Sequence, residues 1–332
     1  MRCFVVSKSP QGEIGSQVTD RPESELPEGD TVIEVHWSSL NFKDGLAATG
    51  HPGVVKSFPH VPGIDAAGKV LESAAPHLRP GDPVIVTSYG LGADRWGAWA
   101  EKIRVPHEWV VPLPQGLTTR EAMIIGTAGF TAAMCVERFE REQLSPGSGP
   151  ILVTGASGGV GSIAVRLLTR LGYQVAAVSG KAEARADLER WGVSQLLRRE
   201  EMLNSSSRPL LAARWAGAVD TVGGSMLPTI LRELKSHGCV AACGLVGGAE
   251  FSTSVYPFLL RGVTLAGIDS AWYPAAKREP LWKRLASSWK PRFLEDAVTQ
   301  TDLDGLPPLV QQILAGNVTG RVIVRIRNDS EA

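Results

Sequence analysis

Over the first 120 or so residues, apolar and polar positions alternate in short runs. "RCFVVS", "DTVIEVHWSSL" and "DPVIVTS" carry β-branched alternation, and Pro and Gly punctuate them in "LPEGD", "HPGVV", "VPGID" and "RPGDPV". This pattern predicts an irregular, strand-and-turn domain with few long helices. It changes at "TREAMIIGTAGFTAAMCVERF", where apolar residues recur at helical spacing behind Thr118 or Thr119 as a helix cap. A strand–helix alternation follows. "GPILVTGA" reads as a strand, "GVGSIAVRLLTRLG" as a helix closed by Gly172, "YQVAAVSG" as a strand, and "KAEARADLERWG" as a helix ending at Gly192. "VSQLLR", "GAVDTVGG", "GCVAACGL" and "VTLAGIDS" supply four more strands. Continuous apolar strands between helices predict a parallel sheet covered on both faces. Six of them complete a doubly wound nucleotide-binding unit over about 124–268. The tail reads as helix, loop, helix and strand, and "RVIVRI" is expected to return to the N-terminal β domain.

Composition narrows the function. Lys plus Arg equals Asp plus Glu at 34 each, so no basic excess points to nucleic acid or to an anionic membrane. The N-terminus has too short an apolar run for a signal peptide, and no segment reads as a run of about 20 apolar residues, so a cytoplasmic protein acting on a small molecule is expected. Cys3, Cys135, Cys239 and Cys243 form no tight cluster, and the six His lack metal-ligand spacing. No metal is expected.

"VTGASGGVG", Val153–Gly161, follows a strand and opens a helix, the context in which a glycine loop holds a pyrophosphate at a helix N-terminus. It fits A-x-G-x-x-G through Ala156, Gly158 and Gly161, and equally T-G-x-x-x-G-x-G through Thr154, Gly155, Gly159 and Gly161. The second form belongs to short-chain dehydrogenases, which pair it with a Y-x-x-x-K motif. "YPAAK", Tyr273–Lys277, matches, but that pair must lie one turn apart inside a helix, and Pro274 confines Tyr273 to a helix boundary. The first form is therefore preferred, with Thr154 and Gly155 assigned to the strand end. Ala156, Ser157, Gly158, Gly159, Val160 and Gly161 become the pyrophosphate loop. At the end of the second strand stand Ser179, Gly180 and Lys181, where an NAD site carries an acid. A hydroxyl and a cation suit a 2′-phosphate, so NADPH is expected over NADH, with Arg185 and Arg199 as weaker phosphate candidates.

The chain as a whole resembles the zinc-independent medium-chain dehydrogenase/reductase family, in its quinone oxidoreductase branch. "PGIDAAGKV" resembles the family's G-H-E-x-x-G stretch with Ile64 at the place of the metal-binding His, and Asn41 in "SLNFKDG" stands for the metal-binding Cys. "SSLNFKDGLAATG", "FPHVPGIDAAGKV", "VTGASGGVGSIAVRLLTRLGYQV" and "LLRGVTLAGIDS" resemble the YhdH/YhfP-like subgroup, which includes NADPH-dependent acrylyl-CoA reductases. The resemblance implies an α/β chain in which a Rossmann doubly wound parallel sheet (124–268) is inserted in a GroES-like, β-rich catalytic domain (1–123 plus 269–332). It implies hydride addition to Cβ of an α,β-unsaturated thioester or ketone, without a metal.

The same resemblance assigns Asn41, Asp44 and Arg321 to the catalytic cluster. Asn41 is expected to donate its amide to the substrate oxygen. Arg321 is expected to donate a charged hydrogen bond or to pair with Asp44, which orients the other two. Such a pair stays ionised at neutral pH, which argues against Asp44 as the proton donor. An N-cap role for Asn41 and Asp44 fits the residues as well. Thr127, the backbone of Cys243, Gly244 and Leu245, and that of Ile268, Asp269 and Ser270 are expected around the nicotinamide. Three functions remain open: acrylyl-CoA reductase, a broader quinone or enone reductase, and a non-enzymatic NADPH-binding protein. A homodimer paired through "VTLAGID" is expected.

Overall fold

The structure is a computed structural model that describes residues 1–327. Residues 328–332, assigned above to the catalytic domain, lie outside the described residues. The chain divides into two compact units: Met1–Thr127 with Ser270–Ser287 and the chain from Ala297 onward, and Ala128–Asp269 with Ser288–Asp296. The return to the first unit is thus interrupted, and the first boundary falls four residues later than the pattern change suggested. Several second-unit side chains hold this segment: buried Arg166 donates through Nη1 to the carbonyls of Phe293 (2.9 Å), Leu294 (3.4 Å) and Asp296 (3.1 Å) while its guanidinium lies over Trp191. Arg170 Nε donates to the Ser288 carbonyl (3.0 Å), and Arg190 and Trp191 Nε1 reach the Asp296 carboxylate (2.9 and 3.3 Å), so 288–296 is tied to the second unit.

In chain order the first unit contains β1 (Arg2–Lys8), β2 (Ile14–Asp20), β3 (Thr31–Leu40), α1 (Phe42–Ala48), β4 (Asp65–Ser73), β5 (Pro83–Thr87), β6 (Lys102–Val105) and β7 (Val111–Pro112). The helix α2 (Thr119–Arg141) follows. The second unit continues with β8 (Ile151–Val153), α3 (Gly159–Arg170), β9 (Val175–Val178), α4 (Arg185–Arg190), β10 (Gln195–Leu197), β11 (Trp215–Asp220), α5 (Met226–Glu233), β12 (Leu234–Ala242), α6 (Tyr256–Arg261) and β13 (Thr264–Gly267). The chain closes with α7 (Ala275–Ala286), β14 (Val298–Thr301), α8 (Leu306–Leu314) and β15 (Arg321–Arg325).

The second unit's sheet runs β10-β9-β8-β11-β12-β13 with every neighbour parallel, the order of a complete dinucleotide fold. Leu152, Ala176, Val178, Ala218 and Val240 are wholly buried along its strands, as expected for a sheet covered on both faces. The first unit's sheet runs β14-β15-β3-β4-β5-β7, with β6 also pairing β3. β15 lies antiparallel to β3, with Val322 opposite Leu40, so the chain's last strand closes against its third.

Thr118, not Thr119, caps α2: its hydroxyl accepts the Glu121 N–H at 3.1 Å while the Glu121 carboxylate accepts the Thr118 N–H at 3.0 Å. Contrary to the sequence expectation, α2 is long and apolar enough to cross a membrane. Its most apolar window is 83% buried inside the fold, which makes it a core helix. Gly126 interrupts it at φ 49° and ψ −160°, a conformation that only glycine adopts readily. A Cβ there would meet Asp65 Oδ2 at 2.5 Å and Arg321 Nη2 at 2.9 Å. Gly126→Ala is therefore expected to destabilise the protein by about 2–4 kcal/mol in urea unfolding. A variant as stable as the parent would show that the break is accidental.

Candidate active site

The residues singled out in the first unit lie at the ends of its elements, where the chain leaves regular structure. Asn41 directly follows β3 and caps α1; its N–H donates to Asp44 Oδ2 at 2.7 Å, one half of a capping box. The cap role and the cluster are thus one arrangement. Asp44, fully buried, also accepts Gly63 N–H (3.1 Å) and Ile64 N–H (2.8 Å) through Oδ1. It therefore fixes the turn that leads into β4.

The centre of the cluster is a residue that sequence reading passed over. Asp65 opens β4 and is fully buried. Its Oδ2 accepts from Ser39 Oγ (2.6 Å), Asn41 Nδ2 (2.9 Å) and Thr127 N–H (2.9 Å), and its Oδ1 accepts from Thr127 Oγ1 (2.5 Å). The signal was present in "PGIDAAGKV": where Ile64 replaces the His of G-H-E-x-x-G, Asp65 stands at the Glu.

Arg321, at the start of β15, is 2% exposed. It donates through Nε to the Ile124 carbonyl (2.9 Å) and through Nη1 to Asn41 Oδ1 (3.1 Å). It makes no hydrogen bond to Asp44 among the described residues, so the expected Asp44–Arg321 pair is replaced by a link through Asn41. The reason is geometric: Asp44 spends its oxygens on backbone N–H groups and Asn41. Arg321 Nη2 is buried with no acceptor among the described residues. The Asn41 amide is also differently engaged than expected. Nδ2 has two protons and faces three acceptors, Ser39 Oγ (3.0 Å), Asp44 Oδ2 (3.1 Å) and Asp65 Oδ2. It is committed inside the protein and is not free for a substrate oxygen.

Burial, reinforced by the nearby charge of Asp65, pushes the Asp44 carboxyl up to about 7, while the N–H donors from Asn41 and Ile64 resist the shift. Among the described residues the Asp44 carboxyl has no direct Arg321 hydrogen bond to oppose this shift. Burial lowers the Arg321 guanidinium from its ordinary value, against the pull of Asp65 and Asp44. The continuation of the network is Ser88, directly after β5, whose Oγ lies 2.9 Å from Thr127 Oγ1.

In the second unit the glycine loop joins β8 to α3. Gly158 caps α3, and a Cβ on it would meet only Gly155 O at 3.3 Å, leaving the helix N-terminus open to an approaching anion. Gly161 is packed more tightly: a Cβ there would lie 2.3 Å from Gly155 O. Ala156 and Ser157 are buried in the turn, and Gly159 and Val160 form the first turn of α3. Gly155 is not part of the strand, as the sequence reading had it. β8 ends at Val153, and Gly155 turns with φ 57°, so the loop begins two residues earlier. Thr154 is buried, donating to Asp220 Oδ1 at 2.6 Å.

Beyond β9, Ser179 Oγ donates to Ser157 Oγ at 3.0 Å and accepts the Lys181 N–H at 3.2 Å, which draws the loop and the strand end together. Arg199 lies against Gly180, where a Cβ would meet Nε at 2.8 Å, and it has no ion-pair partner among the described residues. Burial holds the Lys181 ammonium below its ordinary value, Glu183 opposes this, and Arg199 adds to it. Two cations that repel each other beside two hydroxyls fit a phosphate. Cys243, Gly244 and Leu245 follow β12, and Ile268 and Asp269 follow β13, with the Ile268 N–H on the Ala242 carbonyl (2.9 Å). They share the carboxyl edge of the sheet, where such folds bind ligands. Thr127 and Ser270 belong to the first unit, and the Ser270 carbonyl accepts from Arg278 Nη2 at 2.8 Å. Tyr273 is buried ahead of α7 with Pro274 as its N-cap, so "YPAAK" does not lie within one helix. Among the described residues, no group of three or more His, Cys, Asp and Glu is arranged to hold a metal ion.

Residues 27–115 match the alcohol dehydrogenase GroES-like domain and residues 159–287 the zinc-binding dehydrogenase domain. The chain is 45% identical to acrylyl-CoA reductase AcuI of Ruegeria pomeroyi over 98% of each chain. Its structure is similar to that of the YhdH oxidoreductase of Salmonella enterica in complex with NADP (TM-score 0.95, 45% identity, 98% of this chain and 100% of that one). It is similar also to Bacillus subtilis YhfP with NAD bound (TM-score 0.94, 42% identity, 98% and 99% covered).

One consequence of the site is a pH signature. A carboxyl raised from 3.8 to about 7 by folding binds its proton more tightly in the native state, so its contribution is most favourable below pH 3.8 and is lost as pH rises to about 7. Asp44→Asn is expected to remove this loss: the variant's stability relative to the parent should rise between about pH 4 and pH 7 in urea titrations. A difference that does not change with pH would place the Asp44 carboxyl at its ordinary value.

Proposed function

The chain belongs to the medium-chain dehydrogenase/reductase family, in the subgroup of AcuI, YhdH and YhfP, and we propose that it is an NADPH-dependent reductase that converts acrylyl-CoA to propionyl-CoA. The observation that carries the reading is the end-to-end likeness to acrylyl-CoA reductase. Ile64 and Asn41 stand at the positions where zinc-dependent relatives have ligands, so the reaction is assigned no metal.

The residues fit NADPH. Gly158 and the first turn of α3 receive the pyrophosphate, and Ser179, Lys181 and Arg199 receive the 2′-phosphate. The bound cofactor supplies the hydride. Addition of that hydride at Cβ would leave negative charge on the thioester oxygen, and Cα would then take a proton from solvent water. Arg321 supplies the matching positive charge. Its burial weakens screening, and its Nη2 has no acceptor among the described residues. Asn41 holds Arg321 through Oδ1, Asp44 and Asp65 hold Asn41, and Asp65 aims Thr127. Asp44 and Asp65 are positioning residues in this scheme.

We assign a homodimer to the second unit's free edge. β13 ends its sheet, and Val255, Tyr256, Leu259 and Leu260 are exposed nearby in sequence, an apolar stretch suited to a second copy. Four free cysteines fit a reducing cytoplasm.

Steady-state assays test the chemistry. Acrylyl-CoA should be turned over with a kcat/KM at least about tenfold above that for any of a panel of quinones, and NADPH should be preferred to NADH. Lys181→Ala should raise the KM for NADPH about tenfold and leave that for NADH nearly unchanged. Faster quinone turnover, or a preference for NADH, would overturn the substrate or the cofactor assignment respectively. For the dimer, Leu259→Glu should shift the sedimenting species from two chains to one; a parent protein that sediments as one chain ends the proposal.

A further inference from the structure

Ser88 and Tyr89 are consecutive non-glycine residues in the left-handed region, at φ 65° and φ 53°. Such a conformation is uncommon for serine and an outlier for a bulky tyrosine, so the surrounding structure must impose it. The restraints are on both residues. Ser88 N–H donates to the Ile64 carbonyl at 2.8 Å, and Tyr89 N–H donates to the Ala271 carbonyl at 3.0 Å. The Tyr89 ring stacks on Trp109 (5.0 Å, 10° between planes), and the Arg278 guanidinium lies 4.1 Å from its centroid. Arg278 is itself buried and bonded to the carbonyls of Thr87 (3.0 Å) and Tyr273 (3.1 Å). The turn is thus clamped from both sides of the strained pair.

What the strain achieves is the aim of one hydroxyl. Ser88 is 4% exposed, and its Oγ is directed to Thr127 Oγ1 at 2.9 Å. Thr127 has a single hydroxyl proton, and Asp65 Oδ1 at 2.5 Å takes it. Ser88 must therefore be the donor, which gives a one-way chain: Ser88 to Thr127 to Asp65. Ser88 and Asp65 thereby both restrain the orientation of the Thr127 hydroxyl.

We infer that Ser88 is a positioning residue that fixes the orientation of Thr127 for the reaction. The inference rests on the reading that Thr127 lies beside the nicotinamide of the proposed cofactor, and it adds a residue that neither the glycine loop nor the Asn41 cluster includes. The left-handed backbone is the condition for it, because an extended Ser88 would carry its hydroxyl elsewhere.

The strained backbone provides the test. Ser88→Gly removes the hydroxyl and suits φ 65°; Ser88→Ala removes the hydroxyl and keeps the strain. Both should lower kcat roughly tenfold with the KM for NADPH within about twofold of the parent. The Tm of Ser88→Gly should be at or above that of the parent, and that of Ser88→Ala should be lower. Because Ser88 acts through Thr127, the double variant Ser88→Gly/Thr127→Val should be no slower than Thr127→Val alone. The assays use whichever acceptor the parent reduces fastest, so a wrong substrate assignment leaves this test intact. Unchanged kcat in Ser88→Gly, a kcat loss that accompanies a lower Tm in that variant, or additive losses in the double variant would each overturn the inference.

Discussion

The first unit's site depends on one buried carboxylate. Asp65 has no exposed surface, yet it gathers donors from the end of β3, the cap of α1 and the broken part of α2. Burying a charge is costly unless it is paired and fully hydrogen-bonded. Here the compensation comes from Ser39, Asn41 and Thr127 by hydrogen bonds, and from the nearby Arg321 by charge. Each compensating group is thereby fixed. Stability and positioning are the same interaction, because any movement of the cluster would leave the Asp65 charge unsatisfied.

The second unit repeats the device at its own strand ends. Asp220, fully buried at the end of β11, accepts Thr154 Oγ1 at 2.6 Å and the Gly223 N–H through both oxygens. It ties the loop after β8 to the turn after β11. The neighbouring Thr221 N–H donates to Thr154 Oγ1 at 3.0 Å, so the threonine is held as donor and acceptor. In both units, backbone that leaves regular structure has lost its ladder partners, and a carboxylate accepts several N–H groups at once where a single carbonyl would not suffice. The irregular edges that carry candidate chemistry are therefore rigid.

Much of this architecture was legible in the sequence because burial writes itself as periodicity. The continuous apolar runs of β8, β9, β11 and β12 come from a sheet covered on both faces, and the glycine loop is recognisable because it sits between a strand and a helix. The cluster was legible only in part. Asn41, Asp44 and Arg321 came from a motif, while the partners that connect them follow from tertiary geometry. Asp65 stands at the Glu of G-H-E-x-x-G, but the donors it gathers come from residues far apart in sequence. Ser88 precedes a tyrosine and carries no turn signal; the left-handed pair is held by contacts distant in sequence, Ser88 N–H on the Ile64 carbonyl and Tyr89 against Ala271 and Arg278. The segment 288–296 was assigned to the wrong unit for the same reason. Arg166 lies in an amphipathic helix, where an arginine is ordinarily solvated, and only its burial reveals what it holds.

These features have opposite effects on stability and on orientation. Left-handed Ser88 and Tyr89, the break at Gly126 and the up-shifted Asp44 each make the fold less stable than a relaxed alternative would be. Two of them meet at Thr127, which lies one residue beyond the helix break, hydrogen-bonds to Ser88, and donates twice to Asp65. A protein selected for stability alone would replace Ser88 with glycine and straighten α2. Keeping both is intelligible where the direction of a hydroxyl matters more than a small gain in folding free energy.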